Sequence, residues 1–145
     1  MSGVFRVSEA TAIGLHAAVY LAAHPGRACR AREMAEALKA SEAHLVKVLQ
    51  RLARAGIMEA VRGPKGGFTL SRPAAEVSLG DVFEAIEGRL KPFSCLLKHR
   101  ACDGRHCILG GMVKRVNQEA LDYLTTTKLS ELITAYGKRK NNKES

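Results

Sequence analysis

The sequence predicts a mainly α-helical fold carrying one small β-hairpin. Three observations lead there. The first 55 residues hold three segments with apolar residues at helical spacing, each bounded by a start or stop signal. A Gly-Pro-Lys-Gly-Gly run, Gly63 to Gly67, then separates two short apolar stretches. Beyond residue 75 the helical period returns and ends in a long amphipathic segment over about 108–125. Helix, helix, turn, helix, hairpin is the order of a winged helix-turn-helix. The chain is therefore read as mainly α with a small β-hairpin wing: a winged helix-turn-helix plus a long dimerisation helix.

Each element has a local cause. Residues 8–24 read as a helix, with Ser8 as N-cap, Ile13, Ala17, Tyr20 and Leu21 on one face, and Pro25-Gly26 as the stop. A second helix spans Ala31 to Lys39, with Met34, Ala35 and Leu38 inward. Ala40-Ser41 makes a tight turn. The third helix runs from Glu42 to Ala55 on the stripe Leu45, Val48, Leu49 and Leu52, and Gly56 ends it. Ile57–Val61 and Phe68–Leu70 are the strands of the hairpin. Ser78 caps a fourth helix whose stripe is Leu79, Val82, Phe83 and Ile86, closed by Gly88 and Pro92. Residues 93–107 form a loop rich in Cys, His and basic residues. The long helix begins near Ile108 and carries Val113, Val116, Ala120, Leu121 and Leu124 on its apolar face; such a face at the end of a small chain requires a partner. A short helix, Lys128 to Tyr136, follows.

The chain thus divides into a DNA-binding winged helix-turn-helix over 1–75, a linking helix and Cys-rich sensor loop over 76–107, a dimerisation helix and C-terminal helix over 108–136, and a basic flexible tail over 137–145. Its 145 residues bury a core of ordinary size. A hydrophobic fraction of 46% and a charged fraction of 26% exclude a disordered chain, a collagen-like fibre and a polytopic membrane protein. The uncharged run Ala12 to Ala23 is too short to cross a bilayer, and Glu9, His16 and Tyr20 break any likeness to a signal peptide. The expected location is cytoplasmic, with no membrane partner. Reduced thiols are the rule there, so clustered cysteines point to metal binding or redox chemistry.

A net charge of +9 points to a polyanionic partner, duplex DNA first among them. Residues 1–75 carry +6 of it and residues 76–145 the remaining +3. The third helix is the recognition candidate. Ala43, His44 and Lys47 stand at its N-terminal end, where such helices meet base edges in the major groove. Lys47 suits guanine or phosphate; Arg51 and Arg54 suit phosphate. On the hairpin, Arg62 and Lys65 supply charge, while Gly66 and Gly67, with Gly63, let the backbone approach DNA closely. A solvated basic face is the plainer reading of any one of these side chains.

Three strings of residues carry a family resemblance. They are Ala43-His44-Leu45-Val46-Lys47-Val48-Leu49, then Leu52-Ala53-Arg54-Ala55-Gly56-Ile57, then Val61-Arg62-Gly63-Pro64-Lys65-Gly66-Gly67-Phe68. With Leu79-Gly80-Asp81-Val82-Phe83 and Ala85-Ile86-Glu87-Gly88, they resemble the NsrR/IscR family of bacterial winged-helix regulators over residues 5–135. The His44-x-Val46-Lys47 string is closest in appearance to the NsrR branch. The resemblance implies a homodimer paired through the long helix and bound to a palindromic promoter site. It implies repression, and an iron–sulfur cluster, [2Fe-2S] or [4Fe-4S], that senses nitric oxide, redox state or iron.

The cysteine loop is where that cluster would sit. Cys95, Cys102 and Cys107 are separated by six and four residues, amid Lys91, Lys98, Arg100 and Arg105. The positive surround favours anionic sulfur and an anionic cluster. Four readings are open: an iron–sulfur cluster on these cysteines, as the resemblance implies; a zinc site on Cys95, His99, Cys102 and Cys107; a thiol switch using a disulfide; or inert cysteines. The spacing departs from the family's usual five and five. The family's helix-1 aspartate is replaced by Ala12, which cannot ligate, so His16 of a partner subunit becomes the first choice for a fourth ligand, with His106 or His99 next. Cys29 reads as a buried small residue. No phosphate-binding loop, His-Glu-x-x-His or nucleophile elbow is present, so the chain is not read as an enzyme. The competing functions are a cluster-free regulator responding to thiol redox or a metabolite, and a zinc-stabilised architectural DNA binder.

Overall fold

The structure, a computed structural model, describes residues 4–137. Its elements are α1 (Glu9–Ala23), α2 (Ala31–Leu38), α3 (Glu42–Arg54), β1 (Met58–Val61), β2 (Gly67–Leu70), α4 (Leu79–Glu87) and α5 (Met112–Thr126), with 3₁₀ turns at Ala74–Glu76 and Leu129–Ala135. The basic tail lies outside the described residues, apart from Gly137.

Serine caps fix three helix starts. Ser8 accepts from the Thr11 amide at 3.1 Å and Ser41 from the His44 amide at 3.4 Å. Ser78 and Asp81 exchange bonds of 2.9 and 3.0 Å in a capping box. α1 is the central pillar, packed against α2, α3, α4 and the C-terminal 3₁₀ turn. Ala17, Ala18, Tyr20 and Leu21 are all buried, which explains the uncharged run there. Leu45, Leu49 and Leu52 of α3 close the core against α1 with Met34 and Met58.

The wing is an antiparallel pair with Met58 opposite Leu70 and Val61 opposite Gly67. A third rung comes from outside it. Cys29 exchanges backbone bonds of 3.0 and 2.8 Å with Phe68, so the α1–α2 connection extends the hairpin. Cys29 is fully buried, as expected of a small packing residue, and burial pushes its thiol up. Gly67 makes the rung possible. Its φ of 147° belongs to glycine, and a Cβ there would collide with the Cys29 carbonyl. Gly67→Ala is expected to cost about 2–4 kcal/mol. Gly26→Ala, also left-handed at φ 80° but facing open space, costs about 1 kcal/mol. Thermal melts of both variants check the contrast.

Two expected boundaries shift. The long helix starts at Met112 rather than near Ile108, because Gly110 and Gly111 take φ of 57° and 77° and a Cys107–Gly110 turn precedes them. The C-terminal helix is a 3₁₀ turn over Leu129–Ala135. It is anchored by backbone bonds from Leu79 to Thr127 and from Leu129 to Val77, of 3.0 and 2.9 Å. No helix among the described residues is long and apolar enough to cross a membrane.

Candidate nucleic-acid interface and cysteine loop

α3 presents its polar face away from the core. Ala43 and Lys47 are exposed, His44 is half-buried, and Arg54 is exposed. Arg51 is exposed as well, but its guanidinium donates to the Ile86 carbonyl at 2.6 Å. That bond turns it toward α4. On the wing, Arg62 and Lys65 are exposed at the tip. Gly66 and Gly67 are committed to the fold. The Gly66 amide closes the turn onto the Gly63 carbonyl at 2.9 Å, and a Cβ on Gly66 would meet the Val61 carbonyl.

Two arginines beside the wing escaped the sequence reading. Arg30 donates to the Pro64 carbonyl and so holds the tip. Arg27 makes a two-pronged bond to Glu33, of 2.7 and 3.0 Å, and Tyr20 donates to the same carboxylate at 2.9 Å. Together with Lys65 they line a cleft of about 590 Å³ between wing and α2. Their position one and four residues after the Pro25-Gly26 stop was the only available signal. The Arg27 bond, aided by Tyr20, holds the Glu33 carboxyl down to about 2, from 4.5. A carboxyl lowered on folding stabilises above its unfolded value, and that support fades as pH falls toward the folded one. Glu33→Gln therefore lowers the melting temperature at pH 7 by the equivalent of about 1 kcal/mol, as the pair is partly exposed. The gap closes between pH 4.5 and 2 in a melting series run against wild type.

Residues 88–111 connect α4 to α5 without a helix or strand. Cys95 and Cys107 are half-buried, Cys102 is exposed, and all three are free thiols. They line one cavity of about 320 Å³, shared with Arg100, Arg105 and Lys114. The three cysteines thus border one pocket along with three cationic side chains. Among the described residues, no three His, Cys, Asp or Glu side chains stand close enough to form a ready-made metal site.

The histidines sit elsewhere. His106 pairs with Asp103 at 3.0 Å, in a turn where Asp103 also accepts the Arg105 and His106 amides; these bonds, that to the His106 side chain foremost, hold the Asp103 carboxyl below its usual range. His99 is exposed, and neither His99 nor His106 lines the cysteine cavity. His16, on α1, pairs through Nδ1 with the Tyr136 hydroxyl at 2.6 Å and borders a separate apolar hollow. Ala12, a turn earlier, is half-buried. Among the described residues, the lining of the cysteine cavity holds the three thiols and no histidine or carboxylate.

α5 leaves an apolar surface open. Met112, Val116 and Tyr123 are 42%, 48% and 56% exposed. Val116 and Tyr123 border a groove of about 500 Å³ with Phe5, Val7, Leu15 and Phe83.

A family model described as Rrf2, iron-dependent transcriptional regulator, matches residues 7–135. The chain belongs to the Rrf2 family. A protein of Neisseria meningitidis serogroup A, named as an HTH-type transcriptional regulator, is 32% identical over 102 residues, which cover 70% of this chain. The match spans 66% of the length of that relative. Among solved Rrf2-like folds, CymR, the global cysteine regulator of B. subtilis, superposes with a TM-score of 0.76 at 22% identity, covering 91% of this chain and 98% of its own. IscR of T. potens gives a TM-score of 0.72 at 24% identity, covering 91% and 88%. The likeness to these solved structures bears out the winged-helix fold, and the family match bears out the resemblance to the NsrR/IscR regulators at the level of the Rrf2 family.

Proposed function

We propose that this Rrf2 chain is a homodimeric DNA-binding transcriptional repressor whose promoter affinity is set by an iron–sulfur cluster on Cys95, Cys102 and Cys107, responding to nitric oxide, redox state or iron. The observation that carries this reading is the cavity where three free thiols meet Arg100, Arg105 and Lys114. Soft thiolate donors in a cationic surround fit an anionic cluster at three positions. His16 of a partner subunit remains the candidate for the fourth, since its Nδ1 is engaged by Tyr136 and its Nε2 is left for a ligand. When bound, the cluster would supply the redox- and nitric-oxide-reactive centre.

The chain's own residues do the rest. The open α5 face and the groove beside it are the surface a second copy covers. Two reading heads then meet half-sites roughly 34 Å apart. Lys47, with Ala43 and His44, faces base edges; Arg54, Arg62 and Lys65 face phosphate. The cysteine loop joins α4, packed under the reading head, to α5. Ordering or freeing that loop changes how the head is held, and a dimer amplifies the change because both half-sites must be met together.

A second reading uses the same thiols without metal. Two of them would form a disulfide, their two S–H bonds giving way to one S–S bond while two electrons and two protons pass to hydrogen peroxide, whose O–O bond breaks to give two waters. It is favoured because, among the described residues, no three donor side chains are grouped closely enough to hold a metal ion. Fluorescence anisotropy on promoter DNA, with anaerobic protein before and after nitric oxide or peroxide, tests both. Affinity lost on either treatment supports loop-controlled binding, and unchanged affinity after both overturns it.

A further inference from the structure

The last turn of α4 is held by two attachments, three hydrogen bonds in all, that the sequence pattern did not reveal. α4 ends at Gly88, with φ 90°, and the cysteine loop starts there. Arg51 of α3 donates to the Ile86 carbonyl at 2.6 Å. That carbonyl is one of the four a helix leaves unpaired at its C-terminus, where positive charge is favoured. One residue on, the Glu87 carboxylate accepts from the Ser8 and Thr11 hydroxyls, the latter at 2.5 Å. These stand at the N-terminus of α1, where negative charge is favoured. Thr11 is fully buried. The two hydroxyls, and the charge of Arg51, hold the Glu87 carboxyl below its usual range. Nearby, a Cβ on Gly14 would strike the Ile86 side chain and crowd Val48, so α1, α3 and α4 cross at close quarters. The end of α4 is bonded to the reading helix by a cation and to α1 by an anion, each matched to a helix dipole.

We propose that Arg51 and Glu87 form the joint through which the cysteine loop moves the DNA-reading helix. Arg51 is on this account a positioning residue, where its place on α3 alone had marked it as a phosphate contact. The proposal rests on the loop-controlled DNA binding argued above. Loop and reading helix share no sequence neighbourhood, and the Ile86–Glu87 turn, which leads directly into the loop's first residue, is bonded to α3 through Arg51. A displacement of Gly88 is carried to Arg51 while both attachments hold, and is lost when either is cut.

The test is a double-mutant cycle on the full-length, anaerobically purified chain. The probe is a duplex selected by the wild-type protein from a random-sequence pool. The loop is altered by replacing Cys95, Cys102 and Cys107 with Ser. Its effect is the ratio of duplex affinities with and without that change, measured in wild type, Arg51→Met and Glu87→Gln, with circular dichroism confirming the fold. Coupling of ordinary strength gives a wild-type ratio of about 5 to 150. The joint predicts that the ratio falls toward one in both variants. It also predicts that the slope of log affinity against log salt in Arg51→Met stays at the wild-type value. A phosphate contact predicts the reverse: an undiminished ratio and a slope smaller by about 2 for the dimer. That result overturns the joint alone. A wild-type ratio of one overturns the loop-control reading, and the joint falls with it.

Discussion

Replacing Lys47 with Ala lowers specific promoter affinity by about 30-fold at the least, with little effect on binding to unrelated duplex. The magnitude follows from symmetry. A side chain at a base edge is worth about 1–3 kcal/mol, and a dimer loses it twice. Lys47 is exposed near the start of α3, three residues beyond the half-buried His44 and on the side opposite Leu45, Leu49 and Leu52. Its removal leaves the core untouched, so the melting temperature stays near wild type. The wing variants Arg62→Ala and Lys65→Ala behave differently. Each weakens specific and non-specific binding alike and reduces the salt slope by about 1 for every phosphate that is no longer neutralised. Competition titrations with specific and random duplex, repeated across a salt series, separate the two classes. An equal loss on both duplexes in Lys47→Ala would place that side chain on phosphate.

The second large effect is expected from Cys102→Ala. Cys102 is the exposed member of the three cysteines and belongs to no core cluster, so the change costs at most about 0.5 kcal/mol in stability. It nevertheless removes one of the three thiols that line the pocket proposed to hold the cluster. Iron retention and the response of promoter binding to nitric oxide both disappear in the variant. Cys29→Ala is the control. Cys29 is sealed in the core and serves the wing through its backbone, so the response survives while stability falls. A nitric-oxide response undiminished in Cys102→Ala would remove the loop from the sensing account.

What the sequence made legible was local. Ser8, Ser41 and Ser78 are caps that bond within three residues, and Gly56 and Gly88 stop helices at their own positions, so α1 to α4 could be bounded almost to the residue. The wing was legible because Gly63 to Gly67 sits between two short apolar runs. Single contacts between distant segments leave no period to read. The Cys29–Phe68 rung is one residue long, and Arg30 on Pro64, Arg51 on Ile86 and His16 on Tyr136 each join positions more than 30 residues apart. The start of α5 was misplaced because Ile108 and Leu109 extend its apolar pattern, whereas the backbone of Gly110 and Gly111 breaks the helix there. At the candidate site, the three cysteines were legible as a group. Their cationic partner Lys114 lies on the following helix, and only folding brings it to the cavity.

The proposed function stands or falls on whether the three-cysteine cavity holds an iron–sulfur cluster. The direct measurement is the ultraviolet–visible spectrum of anaerobically purified protein, with iron, sulfide and zinc determined on the same sample and on Cys102→Ala. The account predicts a coloured wild-type protein with broad visible absorption and matching iron and sulfide, and a variant that lacks all three. A colourless wild-type protein that still binds its promoter, metal-free or carrying stoichiometric zinc, would contradict it.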